Sequence, residues 1–308
     1  RVAAKAGADI VKFQTGKPEN TISVYAKKAD YQARQTGNDE SQLEMCRKLM
    51  LPDEVYPELV EECRICGIKF LSTPFDRESV DLLSDLGVHL WKIPSGEITD
   101  LPLLEHIAKK HEPVLLSTGM STMDEIKEAV ELLRDKGAGE ITVLQCNTEY
   151  PTPLADANVR AMKSIAKELN VKVGYSDHTN GTVVPILATA LGACVIEKHF
   201  TLDKTMEGPD QAASMDPGEL KDFIEAVRNA ELALGSGVKS PSASEVRNRE
   251  VARKSIVASR KIIRGEVFTE ENLACKRPGN GISPMKWYDV IGKSAGRDFS
   301  YDEQIELL

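Results

Sequence analysis

A repeated rhythm constrains this chain more than any other feature. Short apolar or β-branched runs recur at 9–14, 69–75, 89–95, 113–119, 141–147, 172–177 and 194–200, each followed by a loop and an amphipathic helical stretch such as 123–135 or 158–169. Strands that alternate with helices make a parallel sheet, because a parallel neighbour is reached only through a crossover. The runs are continuously hydrophobic, so burial on both faces is expected. Seven units, against the eight of a closed barrel, predict an α/β fold: a (β/α)8 TIM barrel lacking its first strand. The opening segment RVAAKAGAD reads as a helix entered part-way, without a Met, so a strand and part of a helix are expected upstream. A doubly wound open sheet is the alternative, but no G-x-G-x-x-G follows any run.

The rhythm ends with a helix over 216–234. GSGVKSPSASEVRN, within 235–250, reads as a linker. Beyond it come short strands and turns (SIVA, KRPGNGISP, IGKSAGRDF), which predict a small β-rich domain over 251–308. The expected division is therefore 1–234, 235–250 and 251–308. So small a β domain buries little core of its own, and it is expected to pack on the barrel or on a second subunit.

The 308 residues carry a formal charge of −9, which argues against a nucleic-acid partner, since phosphate-backbone binding wants a basic face. A small anionic substrate is still compatible, because a few lysines in a cleft outweigh a distant acidic surface. No window approaches the ~20 apolar residues of a membrane span, and no secretory signal is visible. Of six cysteines, Cys146 and Cys194 lie in apolar runs, where a free thiol behaves as a small hydrophobe. Cys63 and Cys66 have no second pair to complete a zinc ribbon. A reducing cytoplasm is the expected compartment.

Barrel enzymes carry their chemistry at the C-terminal ends of strands. Here those ends are polar: Lys12 and Gln14; Ser72 and Thr73; Lys92, Ser95 and Glu97; Ser117 and Thr118; Asn147, Thr148 and Tyr150; Ser176, Asp177 and His178; Glu197 and His199. Positions i and i+2 of a strand share a face, so Lys12 with Gln14, and Glu197 with His199, are expected to point together into the mouth. His178 and His199 close consecutive strands, about 4.8 Å apart, near enough to share one ion. Two imidazoles with open positions suit Mn, Zn, Fe or Co better than a structural zinc, which wants four protein ligands. Taken singly, either histidine reads rather as a hydrogen-bonded structural residue; it is the pair that points to a metal. Lys12 and Lys92, with Ser95, Ser117 and Ser176, make a candidate phosphate cradle, to which loop N–H groups add donors. The plainer reading of those serines is helix capping. A metal for a carbonyl beside a cradle for a phosphate suggests a phosphorylated nucleophile meeting an aldehyde.

The same strand ends carry VKFQT (11–15), LSTPFD (71–76), WKIPSGE (91–97), LLSTGM (115–120), YPTP (150–153), GYSDHT (174–179), EKHFTLDK (197–204), GPDQAAS (208–214) and KRPGNG (276–281). Through these motifs the whole chain resembles the bacterial sialic acid synthase family, legionaminic acid synthases included, with KRPGNG similar to its C-terminal antifreeze-like (SAF, β-clip) domain. The resemblance implies a metal-dependent condensation of phosphoenolpyruvate with N-acetylmannosamine, releasing phosphate and giving N-acetylneuraminate. The alternative is an N,N'-diacetyllegionaminate synthase acting on 2,4-diacetamido-2,4,6-trideoxymannose. A Schiff-base sialic acid aldolase and a non-catalytic sugar-binding barrel are more remote readings.

The resemblance further implies His178 and His199 as ligands of a divalent metal, Mn before Mg or Co. It implies Glu97, Lys92, Tyr150, His178 and His199 as the catalytic set. Lys12, Gln14, Thr73, Ser95, Ser117, Asn147, Thr148, Ser176, Asp210 and Arg277 are implied to bind substrate. Glu97 would handle a proton or activate water, and Asp210 would face the sugar. Arg277 would reach the partner's barrel in a domain-swapped homodimer. Three departures stand out. The family's first strand, with a glutamate that is a candidate acid/base, is absent; asparagine stands in some members where Thr148 is, with Asn147 one position earlier; and Gln211 replaces a histidine and is given no role.

Overall fold

The computed structural model describes residues 1–37 and 39–307, in two units: Arg1–Gly235 and Ser236–Leu308. The first unit carries seven parallel strands: β1 (Ile10–Thr15), β2 (Lys69–Pro74), β3 (Trp91–Ile93), β4 (Val114–Ser117), β5 (Ile141–Cys146), β6 (Lys172–Asp177) and β7 (Ile196–Lys198). Its helices are α1 (Val2–Ala6), α2 (Pro18–Thr21), α3 (Asp30–Thr36), α4 (Gln42–Leu49), α5 (Tyr56–Cys66), α6 (Arg77–Asp85), α7 (Leu101–Ala108), α8 (Met123–Asp135), α9 (Ala161–Leu169), α10 (Val183–Ala190) and α11 (Pro217–Leu234).

The strands follow one another in chain order, with ladders joining β1 to β2 and β3 through to β7. Lys12 on β1 lies 3.2 Å from Glu197 on β7, so the first and last strands face each other. An open doubly wound sheet would hold them at opposite edges; this one is curled into a barrel-like wall. Burial on both faces holds for β2 to β6. β1 and β7, by contrast, are mostly half-buried.

Local chemistry explains the helices. In α8, Ile126, Ala129, Val130 and Leu133 recur at helical spacing and are buried, while Thr122 and Glu125 cap the start reciprocally. Asp216 accepts from the N–H groups of Gly218 and Glu219 and starts α11. The main core, including Trp91, Leu116, Val143 and Tyr175, packs against α8, whereas Leu220 and Phe223 of α11 join a second cluster with Ala3, Cys63, Ile68 and Met215. The excursion from β1 to β2 is longer than a crossover requires, and it interposes α2, α3 and α4 before α5.

The second unit holds α12 (Ala243–Ala252), an antiparallel pair β8 (Ser255–Ala258) and β9 (Leu273–Lys276), and α13 (Trp287–Val290). Its own core gathers Ile256, Phe268, Val290, Phe299 and Ile305. The stretch read as a linker therefore carries a helix in its second half. Its start signal is Ser242 with Glu245, a reciprocal cap inside what reads as a polar loop. Cys194 also departs from its reading: it is exposed, just ahead of β7, whereas Cys146 is buried as expected. No helix among the described residues is long and apolar enough to cross a membrane.

Candidate active site

The strand alternation delivers its polar residues to one place. Glu197 is the hub: Lys12 Nζ lies 3.2 Å from one carboxylate oxygen and Lys92 Nζ 3.4 Å from the other. Ser176 stands opposite Glu197 in the β6–β7 register. Burial by itself would push the Glu197 carboxyl up; Lys92 and Lys12 overcome that and hold it below the usual carboxylate range. Burial pulls the Lys92 ammonium down, and Glu197 partly restores it. Two ammonium groups against one carboxylate leave a surplus positive charge in a desolvated place, which is what an anionic substrate needs.

Beside this triad lies a cradle. Lys92 donates to Ser117 Oγ at 2.7 Å. Gly119 N–H donates to Ser95 Oγ at 2.8 Å, and the same hydroxyl lies 3.1 Å from Cys146 Sγ. A Cβ at Gly119 would stand 2.6 Å from Thr148 Cγ2, so only glycine fits between these loops. Thr148 thus belongs to the cradle wall. Asn147 does not offer its side-chain oxygen to a ligand: that atom accepts from Glu149 N–H (2.7 Å) and Thr152 Oγ1 (3.3 Å) within its own loop.

His178 Nδ1 donates to the Asn147 carbonyl at 2.6 Å, a bond that fixes the tautomer and leaves Nε2 with its lone pair free. The His178 and His199 rings lie 5.1 Å apart, edge to face. Tyr150 packs against both, at 4.2 Å and 5.4 Å. Burial depresses both imidazoles; for His199, the neighbouring His178 and Lys12 add to this and bring it to about 3. Both rings are therefore neutral at physiological pH, the state in which imidazole binds a cation. Among the described residues no group of three or more His, Cys, Asp or Glu converges on a point, so any shared ion would draw its other ligands from water or substrate. The donor set fits a divalent ion with open positions.

Asp210 lies near this pair, with one carboxylate oxygen 3.8 Å from His199 Nδ1. Its other oxygen is buried without a partner, and burial raises its carboxyl. Thr73 Oγ1 is likewise buried and unpartnered. Glu97 closes a single 3-10 turn, Ser95–Glu97; burial first, then Asp100, pushes its carboxyl up. Gln14 is exposed, and its carbonyl accepts from Tyr56 Oη at 2.7 Å. Arg277 is exposed in the second unit, just after β9.

Glu197, Tyr31, Arg34 and Cys146 each contribute more than the sequence assigned to them. Glu197 was legible as a mouth-facing residue through its i, i+2 relation to His199, but its role between two lysines was not. Tyr31, on α3, stacks on Tyr150 with ring centroids 4.9 Å apart. Arg34 of the same helix pairs with Glu149 at 2.8 Å, which ties the β1–β2 excursion to the loop after β5. Cys146 orients the Ser95 hydroxyl. Neither α3 contact has a signal in spacing, because each links segments more than a hundred residues apart.

The chain is similar to known synthases along nearly its whole length. The NeuB family profile matches residues 1–239 and the SAF domain profile residues 253–306. An N,N'-diacetyllegionaminic acid synthase of Campylobacter jejuni is 51% identical, over 99% of this chain and 92% of its own. One of Legionella pneumophila is 42% identical, over 97% of this chain and 85% of its own. Among solved structures, the N-acetylneuraminic acid synthetase of Leptospira borgpetersenii superposes with a TM-score of 0.70 at 31% identity, covering 80% of this chain and 81% of that one. Matched in its barrel-like unit, its small β unit and the motifs at its strand ends, the chain belongs to the NeuB family of synthases and carries a SAF domain.

Proposed function

We propose that this protein condenses phosphoenolpyruvate with 2,4-diacetamido-2,4,6-trideoxymannose to give N,N'-diacetyllegionaminate and phosphate. The observation that carries the reaction class is the neutral His178–His199 pair beside a lysine-serine cradle of surplus positive charge. The acceptor follows from likeness: relatives at 51% and 42% identity are named for diacetyllegionaminic acid, whereas the sialic acid synthetase structure stands at 31%. This reverses the order of the sequence reading, in which N-acetylmannosamine came first. The shared strand-end motifs determine the reaction and leave the sugar open.

In this reading, Lys12, Lys92, Ser95, Ser117, Ser176 and Thr148 hold phosphoenolpyruvate by its phosphate and carboxylate. A divalent ion bound by His178 and His199, Mn before Mg or Co, would supply Lewis-acid polarisation of the acceptor's aldehyde oxygen. Tyr150 keeps both rings in place. Thr73, Gln14 and Asp210 line the acceptor side, where the unpartnered Asp210 and Thr73 oxygens await hydroxyl or amide donors. Held close, C3 of phosphoenolpyruvate forms the new bond to the aldehyde carbon. The aldehyde π pair becomes an alkoxide and C2 is left electron-poor; water adds at C2, and Glu97, when ionised, takes its proton and passes it on to the alkoxide. Phosphate then leaves by C–O cleavage. A homodimer in which Arg277 of the partner subunit completes the acceptor site, in a reducing cytoplasm, fits the small SAF unit and the free cysteines.

The test is phosphate release from phosphoenolpyruvate with Mn, offered each sugar in parallel. The expected result is turnover with the diacetamido sugar, a kcat/KM at least about tenfold lower with N-acetylmannosamine, in line with what a few pocket contacts discriminate, and loss of both on adding EDTA. Preference for N-acetylmannosamine would reverse the acceptor. Borohydride trapping of pyruvate on Lys92, whose ammonium is already destabilised by burial, together with indifference to EDTA would favour the aldolase.

A further inference from the structure

Asp177 and Lys198 take no part in the chemistry above, yet each immediately precedes a candidate metal-binding histidine. Strand alternation turns them away from the face that carries His178 and His199. There they meet each other at 2.6 Å, with side chains 0% and 3% exposed. Both also grip the residue after His178. Asp177 accepts from the N–H (2.9 Å) and the hydroxyl (2.8 Å) of Thr179, and Lys198 donates to the Thr179 carbonyl.

The register shows what this clamp controls. Asp177 opposite Lys198 is the last rung of the β6–β7 ladder. The histidines are the first residues beyond it, where no ladder bond sets the distance between the chains. Tyr150 packs against both rings, but it does not hold the backbone beyond the rung, where a cavity of about 360 Å³ is lined by Thr179, Lys198, Lys204, Met215 and Glu219 among others. Stability does not account for the pair, since apolar residues of similar volume often replace a buried ion pair without loss. What an apolar pair cannot supply is directional bonding to the N–H, hydroxyl and carbonyl of Thr179.

We propose that Asp177 and Lys198 are positioning residues that hold His178 and His199 at the separation and ring orientation one shared divalent ion requires. This rests on the reading of the two histidines as a metal pair. Lys198→Met alone leaves Asp177 buried without a counter-charge and is expected to compromise folding. The double variant Asp177→Val with Lys198→Met removes both charges and the side-chain bonds to Thr179 together, with volumes kept close. Purified full-length wild type and double variant are titrated with Mn by electron paramagnetic resonance, and the variant's crystal structure is determined. The expected result is a cooperative thermal transition, Mn affinity weaker by about 10- to 100-fold, and histidine rings displaced from their 5.1 Å separation. Wild-type Mn affinity with the rings still in place overturns the proposal. A wild type that takes up no Mn, while the rings still move in the variant, refutes the metal reading and upholds the positioning role.

Discussion

Glu97 is the residue whose ionisation should show most directly in turnover. Its carboxyl is raised by burial and by Asp100, and a base must be ionised to accept a proton. Turnover governed by Glu97 is therefore present above its raised pKa and lost as pH falls through it. The acid limb of kcat/KM should stand above the ordinary glutamate range. Glu97→Gln should remove that limb and lower kcat by about 10²- to 10⁴-fold; a pH–rate profile of the two proteins checks this. An unchanged limb in the variant would assign it to another group. At this scale much was legible from the sequence. Lys12, Lys92, Ser117, Ser176 and the histidine pair follow from their places at strand ends, where i, i+2 alternation adds the pairing of Glu197 with His199. The use of Asn147 was not legible, because a side chain that turns into its own loop looks the same in sequence as one that faces a ligand.

Elements hold these residues by close approach. Gly174 lies within β6, where a Cβ would stand 2.5 Å from the Val195 carbonyl oxygen and 2.5 Å from Leu144 Cδ2. The first of those neighbours is backbone on the strand side that carries β7, so it cannot rotate away. Gly174→Ala should destabilise the barrel unit by about 1–3 kcal/mol through overpacking. It should also spread β6 from β7, the two strands whose ends carry the histidine pair. Denaturant unfolding measures the first effect, and a Mn titration in the same samples measures the second. Stability within a few tenths of a kcal/mol of wild type would mean that the strands absorb the methyl group. The elements themselves were legible to within a residue or two where a strand ran long, as at β2, β5 and β6. They were overdrawn at β3 and β7, each three residues long, because apolar character extends past the last ladder bond. The helix α12 was missed because its polar sequence carries a cap without an apolar stripe; its burial is nil throughout.

At the scale of the whole molecule, the proposed homodimer makes a prediction that no single chain can satisfy. If Arg277 of the partner subunit completes each acceptor site, His199→Ala and Arg277→Ala disable different halves of one site. Each variant should be inactive alone. Refolded together at equal concentration, they should regain about a quarter of wild-type turnover, since half of the dimers are mixed and each of those carries one intact site. Phosphate release before and after mixing checks it; no regain would mean that site and tail belong to the same chain or that the tail is dispensable.

The sequence by itself determined the parallel α/β architecture and the roster of polar strand ends, because periodicity and strand alternation are local properties of the chain; the reaction class came only through the resemblance carried by the motifs at those ends. Tertiary structure alone decided how those residues divide the work. Glu197 became the counter-charge between two lysines, Asp177 and Lys198 became a buried clamp, and Tyr31 was brought onto Tyr150. Each of these depends on groups far apart in sequence that meet only when the sheet curls, where burial multiplies the strength of a charge or a hydrogen bond that the extended chain leaves to water.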